Sequence, residues 1–175
     1  MMTRPAIVRR DYAPLLARLA VHGPRPVLTN AVAREAAMSK LITELWEAFK
    51  DQHLSWIGFY AKVEGADEMV LVCREPKPAC SPIGLHGMCG RGWQERRSIV
   101  IQDVRTLGEN YIACDPKDQS EVVVPVLNAD GSCWGVLDAD SYAVAGFDEA
   151  DAAALGALID GLGIGASVPG GALWL

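Results

Sequence analysis

Three of the five cysteines in this 175-residue chain fall where a thiol has room to react. Cys80, Cys89 and Cys114 lie in two stretches, 74–95 and 105–120, whose hydrophobic pattern dissolves into Pro, Gly and polar residues. Cys73 and Cys133 sit inside strand-like runs and read as inert core positions. The loop cysteines are spaced 9 and 25 residues apart. That matches no common zinc pattern, which pairs cysteines two to four residues apart. Redox thiols and unpaired loop cysteines are the two readings left. Asp115 beside Cys114 works against a thiolate, and Lys117 is the nearest cation in sequence.

Carboxylates form a second group. Asp138 and Asp140 stand two residues apart at the end of an apolar run, so in a strand they share a face. Glu121 opens a neighbouring run and Asp103 ends an earlier one. Each alone is a solvated strand end. If the ends converge, four carboxylates crowd one mouth, and like charges at close range raise the pKa of at least one. A carboxyl kept protonated near neutral pH is a general acid. Trp56 and Tyr60 flank Gly58 on one face of a third run. Two aromatics around a glycine give either a hollow with aromatic walls or a glycine bulge packed on its neighbours.

The elements that must hold these groups follow from periodicity. Residues 9–21 have helical spacing, and GPRP at 23–26 breaks the chain. Thr29 or Asn30 caps a second helix to about Gln52, with Met38, Leu41, Ile42, Leu45 and Phe49 on one stripe. Strands are expected at 54–61 and 68–73 around a GADE turn, then at 98–104. A long loop from 74 to 95, with a helical turn near 91–97, and an irregular loop at 105–120 separate them. Runs 121–127 and 133–140 form a hairpin whose Asp130-Gly131 pair suits a positive-φ turn. Asp148 caps a closing helix over 148–163, and the Gly-rich tail 166–175 is expected to fray. The order predicts one α+β domain over 1–165: N-terminal helices at 9–52, sheet and loops at 54–140, and the closing helix. The sheet is antiparallel with five or six strands, helices on one face and a loop-covered pocket on the other.

Composition narrows the partners. A net charge of −6 and a pI near 5.0 argue against nucleic acid, which selects for clustered Lys and Arg. Arg4, Arg9 and Arg10 read as a solvated N-terminus. No apolar run is long enough to cross a membrane, and no secretory signal pattern is present. An odd cysteine count in an apolar chain fits the reducing cytoplasm.

Taken together, SWIGFY at 55–60, KPAC at 77–80, GMCG at 87–90, QDV and IACD within 102–115, SEVVVPV at 120–126 and GVLDADS with FDEAD within 135–151 resemble the free methionine-(R)-sulfoxide reductases. These are stand-alone GAF-domain proteins. The similarity spans most of the chain. IACD, an SE pair ending seven residues after its cysteine, and a GVLD-x-DS strand make a specific combination.

The resemblance implies a GAF fold and assigns roles. Cys114 is the nucleophile, Cys80 resolves the intermediate as a disulfide, and Cys89 is an auxiliary thiol that can also pair. Asp103, Glu121, Asp138 and Asp140 bind and polarise the substrate, with Glu121 or Asp140 as proton donor. Trp56 and Tyr60 hold the methyl-sulfoxide end. The implied substrate is free methionine sulfoxide, whose ammonium pairs with a carboxylate. The implied reductant is a thioredoxin-like dithiol, the implied assembly a homodimer, and neither cofactor nor metal is required. Two other readings stand beside this one. GAF folds also serve as small-molecule sensors, usually joined to an output domain for which this length leaves no room. A thiol redox sensor without catalysis would need the cysteines but not the carboxylates.

Overall fold

The computed structural model describes residues 9–20, 23–111, 114–166, 168 and 170–175. Helix α1 spans Ala13–Leu19 and α2 spans Ala31–Phe49. Asn30 caps α2 by accepting a hydrogen bond from the Ala33 N–H at 3.0 Å, and the five stripe residues expected from spacing are all buried. The first helix is shorter than its periodicity, and positions 21–22 lie outside the described residues. Its proline occupies the first turn, where a missing N–H costs nothing.

Residues before α1 serve as an anchor instead. Arg10, expected in solvent, is buried. Its Nη1 donates to the Gly146 carbonyl at 2.6 Å, its Nη2 to the Gln52 carbonyl at 3.2 Å, and its guanidinium lies 4.5 Å from the Phe147 ring centre. Asp151 completes the anchor, pairing with Arg10 at 3.4 Å and accepting from the Tyr12 hydroxyl at 2.8 Å. Burial of a guanidinium is tolerable here because carbonyls and a carboxylate replace its water. Arg9 is exposed, and Arg4 lies outside the described residues.

Seven strands form one sheet: β1 Leu54–Lys62, β2 Glu68–Glu75, β3 Ile83–Gly84, β4 Ile99–Ile101, β5 Ser120–Leu127, β6 Cys133–Ser141 and β7 Leu173–Trp174. Their spatial order is β3-β2-β1-β6-β5-β4-β7. All neighbours pair antiparallel except β4 with β7, which is parallel. The sheet has one or two strands more than the five or six expected, and the two unforeseen ones, β3 and β7, are two-residue edges. One of them corrects the reading of the tail as frayed: Leu173–Trp174 adds to the sheet edge, with Leu173 N–H bonded to the Ser98 carbonyl at 2.8 Å.

The helices do not all share a face. Helices α1, α2 and α4, the last at Glu149–Gly161, pack on one side over Ile57, Phe59, Val122, Val124, Leu137 and Ala139. Helix α4 begins with a capping box in which Asp148 and Asp151 each bond the other's backbone N–H. Helix α3, Met88–Glu95, lies on the opposite side with Trp56, Tyr60, Val123 and Val136. It replaces the last eight residues of the expected 74–95 loop. A 3-10 helix at Val104–Asn110 likewise orders part of the expected second loop and shortens the strand before it to three residues. Among the described residues, no helix is long and apolar enough to cross a membrane.

Candidate active site

The pleat of the three central strands puts one row of side chains against the helices and the next into a pocket. Register fixes the pocket row. Trp56 of β1 pairs with Asp140 of β6, which pairs with Glu121 of β5; one step along, Gly58, Asp138 and Val123 form the next row. Gly58 is required by close approach. A Cβ there would stand 2.4 Å from the Trp56 indole and 2.9 Å from the Cys73 carbonyl. Without it the indole lies across the strand, tilted 34° from the Tyr60 ring with centres 5.9 Å apart. The aromatic polar ends point to the loop above. Trp56 Nε1 donates to the Lys77 carbonyl at 2.9 Å and the Tyr60 hydroxyl to the Cys80 carbonyl at 2.8 Å.

The floor is acidic. Glu121 and Asp138 are buried, and one oxygen of each lies within 4.8 Å of the other and of Cys89 Sγ. Among the described residues these three form the group whose spacing would suit a metal ion. Burial, then the charges of Asp138 and its neighbours, hold the carboxyls of Glu121 and Asp140 well above the ordinary range. Burial also raises Asp138, but less, to about 7. Its Oδ1 is a buried acceptor with no hydrogen-bond partner among the described residues. A buried acceptor left so costs about 1–3 kcal/mol.

The fourth carboxylate of the cluster is Asp118, not Asp103. Asp118 is buried, lines the pocket and accepts from the Ser55 hydroxyl at 2.6 Å. Asp103 does not line the pocket. It caps the 3-10 helix through the Arg105 N–H and forms a two-pronged pair with the Arg105 guanidinium at 2.8 and 2.6 Å. That cation holds its carboxyl below the ordinary range.

The cysteines separate by position. Cys114 lines the mouth, and its thiol interacts with the Cys80 side chain and backbone; both residues are exposed, and neither is in a disulfide. Burial of the sulfur, then the neighbouring Cys80 thiol, push Cys114 up to about 12. Cys89 is not a loop residue but sits in the first turn of α3, buried against Asp138. Burial and the surrounding carboxylates raise its thiol strongly. Cys73 and Cys133 lie in β2 and β6 and line no part of this pocket. The neighbouring Ile112 and Ala113 of the IACD run lie outside the described residues.

Two residues that pattern reading passed over hold Asp115 at the mouth. Lys77 Nζ pairs with the Asp115 carboxylate, and the Tyr142 hydroxyl donates to the same carboxylate at 3.0 Å. Lys77 and the other donors hold the Asp115 carboxyl at about 2. The acid beside Cys114 is therefore matched by a cation 38 residues away in sequence. Tyr111 and Met88 line the pocket beside these groups, and the whole encloses about 660 Å³ including its open mouth.

A GAF domain model matches residues 31–165. The GAF domain-containing protein A of Dictyostelium discoideum is 34% identical over 70% of this chain and 72% of its own length. The free methionine-R-sulfoxide reductase of Escherichia coli is 32% identical over 71% of this chain and 72% of its own. This chain belongs to the free methionine-R-sulfoxide reductase family of GAF-domain proteins. The solved structure of the Neisseria meningitidis family member, in complex with its substrate, is 34% identical, covers 93% of this chain and 94% of its own, and superposes with a TM-score of 0.71. The GAF match begins with α2 and ends just past α4, so it contains every pocket residue described above. Helix α1 and β7 lie outside it.

Proposed function

We propose that the chain reduces free methionine-(R)-sulfoxide to methionine through Cys114. The observation that carries this reading is the meeting, at one pocket, of a thiol, a second thiol beside it and carboxyls held protonated beneath. The Cys114 sulfur attacks the sulfoxide sulfur. The oxygen passes to the cysteine sulfur as sulfenic acid, and methionine leaves. The polarised S–O bond needs a proton at oxygen, which Glu121 or Asp140 supplies, since burial and the neighbouring carboxylates push both toward the protonated form. Asp138, pushed up only to about 7, is the one of the three best placed to serve as the anion. Its unpartnered buried oxygen suits the substrate ammonium, and a peptide-bound residue carries no ammonium to offer. Environments that push neighbouring carboxyls apart divide donor from anion in this way. A bound cation also favours the thiolate of Cys114, whose thiol burial and its neighbours otherwise hold protonated.

Cys80 then condenses with the sulfenic acid, and a thioredoxin-like dithiol in the cytoplasm reduces the disulfide by exchange. Cys89 is a poor resolving thiol because it is buried beside an acid. A homodimer is the assembly proposed. Thioredoxin-coupled turnover tests the reading. Free methionine-(R)-sulfoxide is reduced by the wild type, an N-acetylated sulfoxide is not, and Cys114→Ser abolishes turnover. Equal rates on both substrates would remove the ammonium pairing. Reversible binding without turnover would make the chain a small-molecule sensor.

A further inference from the structure

The two exposed thiols sit on separate loops, and a loop thiol meets its partner only as often as the chain between them allows. The stretch carrying Cys80 is held from below by its carbonyls: Trp56 Nε1 on Lys77 and the Tyr60 hydroxyl on Cys80. The stretch carrying Cys114 has a different tether. Asp115, the next residue, accepts from Lys77 Nζ, from the Tyr142 hydroxyl at 3.0 Å and from the Lys117 N–H at 3.0 Å. Lys77 also donates to the Tyr142 oxygen at 3.4 Å. Lys77 lies three residues before Cys80, Asp115 one after Cys114, and Tyr142 just past the end of β6. The Asp115 side chain is 14% exposed and that of Lys77 46%, so the acid is the partner partly withdrawn from water.

We propose that Lys77, Asp115 and Tyr142 form a clamp that holds Cys80 against Cys114, making Lys77 a positioning residue for disulfide closure rather than for sulfoxide attack. The inference rests on the reductase reading for its natural trigger. In the step concerned, the Cys80 thiolate attacks the sulfenic sulfur of Cys114. An S–S bond forms, the S–O bond breaks, and hydroxide leaves with the Cys80 proton as water. The oxidising equivalent is the one the sulfoxide delivered, so no further oxidant is needed. Pre-placing two reacting sulfurs converts a search into a local encounter, and a displacement of about 1 Å is enough to cost up to about 10²-fold.

The clamp is tested by single turnover of the reduced enzyme with free methionine-(R)-sulfoxide and no reductant, following methionine release, disulfide formation and capture of sulfenic acid by dimedone. In the wild type, methionine and disulfide appear together and little dimedone adduct forms. In Lys77→Met the unmatched Asp115 charge slows methionine release, closure slows by about a further tenfold or more beyond that, and the adduct accumulates. Lys77→Arg restores closure, Asp115→Asn copies Lys77→Met, and the double variant closes no more slowly than either single one. Closure in Lys77→Met at the wild-type rate, or slowing of both steps alike, overturns the clamp. A second arm uses hydrogen peroxide in place of the sulfoxide to form the Cys114 sulfenic acid. Wild-type failure to release methionine, with slow peroxide-driven closure still seen in Lys77→Met, would sink the reductase reading and keep the clamp. Equal peroxide-driven closure in both proteins would sink the clamp whatever the substrate.

Discussion

The two faces of the central strands are built from one stretch of backbone and have opposite chemistry. Toward the helices, β1, β5 and β6 present Ile57, Phe59, Val122, Val124, Leu137 and Ala139, each 2% exposed or less, and all apolar. Toward the pocket side the alternate positions mix Val123 and Val136 with Trp56, Gly58, Tyr60, Glu121, Asp138 and Asp140. The helix face stabilises by transferring apolar area from water, at about 25 cal/mol per Å². The pocket face adds a cost to its own apolar burial. It buries carboxyls near one another, and that is tolerable because burial and like charge push them toward the protonated form. A period of two thus lets a narrow sheet carry stability on one side and reactivity on the other, with no residue serving both.

That separation is broken most severely by exchanging the kind of damage done to each face. Glu121→Gln keeps the shape and removes the proton donor, so kcat is expected to fall by about 10²–10⁴ while the melting temperature holds or rises. Asp140→Asn gives a fall of the same kind, and the size of each shows which carboxyl supplies the proton. Phe59→Ala, three positions from Trp56 and one from Tyr60 and so on the opposite face, is expected to cost about 3–5 kcal/mol of stability and leave kcat/KM nearly unchanged at temperatures where the variant is folded. Steady-state kinetics and thermal melts on the same preparations check both. A Phe59→Ala enzyme with crippled kcat would mean that the faces are mechanically coupled.

A smaller effect sharpens the energetic half of the comparison. The Asp138 carboxyl titrates at about 7 in the fold against an ordinary 3.8. Between these values the folded protein holds a proton that the unfolded chain has released. The stability Asp138 contributes is therefore full below pH 4 and is lost as pH rises to about 7, after which the loss levels off. Asp138→Asn cannot titrate and escapes the loss. The stability gap between variant and wild type is expected to widen from pH 4 to 7 in the variant's favour, measured by denaturant unfolding. A gap independent of pH would mean that Asp138 ionises freely in the fold. The same variant is expected to raise KM more than it lowers kcat, because it removes ground-state pairing with the ammonium.

The sheet and most of the pocket row were legible because alternation is local. Trp56, Tyr60, Asp138 and Asp140 declare a shared face by spacing alone, and Glu121 follows once the hairpin is drawn. What escaped was decided by distant partners or by weak local signals. Helix α3 reads MCGRGWQE, with two glycines that disfavour a helix; yet Gly90 is needed where a Cβ would lie 2.1 Å from the Leu85 carbonyl oxygen. Packing against the pocket core overrides the propensity, and Cys89 moves from loop to buried helix with it. Lys77 and Asp115 are joined across 38 residues, so the neutralisation of the acid beside Cys114 has no local signature. Arg10 is buried by carbonyls at 52 and 146, equally remote.

Asp103 is the instructive error, and it gives the smallest prediction. It stands near the end of the expected strand 98–104 as Glu121 opens the next run, but Ile101 is the residue that pairs with Glu121 in register. Two residues further on the strand has already ended, and Asp103 turns to cap the 3-10 helix. Arg105 then captures both carboxylate oxygens, an arrangement a charge two positions away makes cheap and the pocket cannot match. Its side chain is one-quarter exposed, and its partner is nearly three-quarters exposed, so the pair itself adds little to stability. Asp103→Asn keeps an oxygen able to cap the Arg105 N–H. It is therefore expected to change kcat and KM by less than about twofold and to lower stability by only a few tenths of a kcal/mol, within the range of surface substitutions. A KM that climbs as far as in Asp138→Asn would place Asp103 in contact with substrate after all, and would require the segment after β4 to turn into the pocket when the ligand binds.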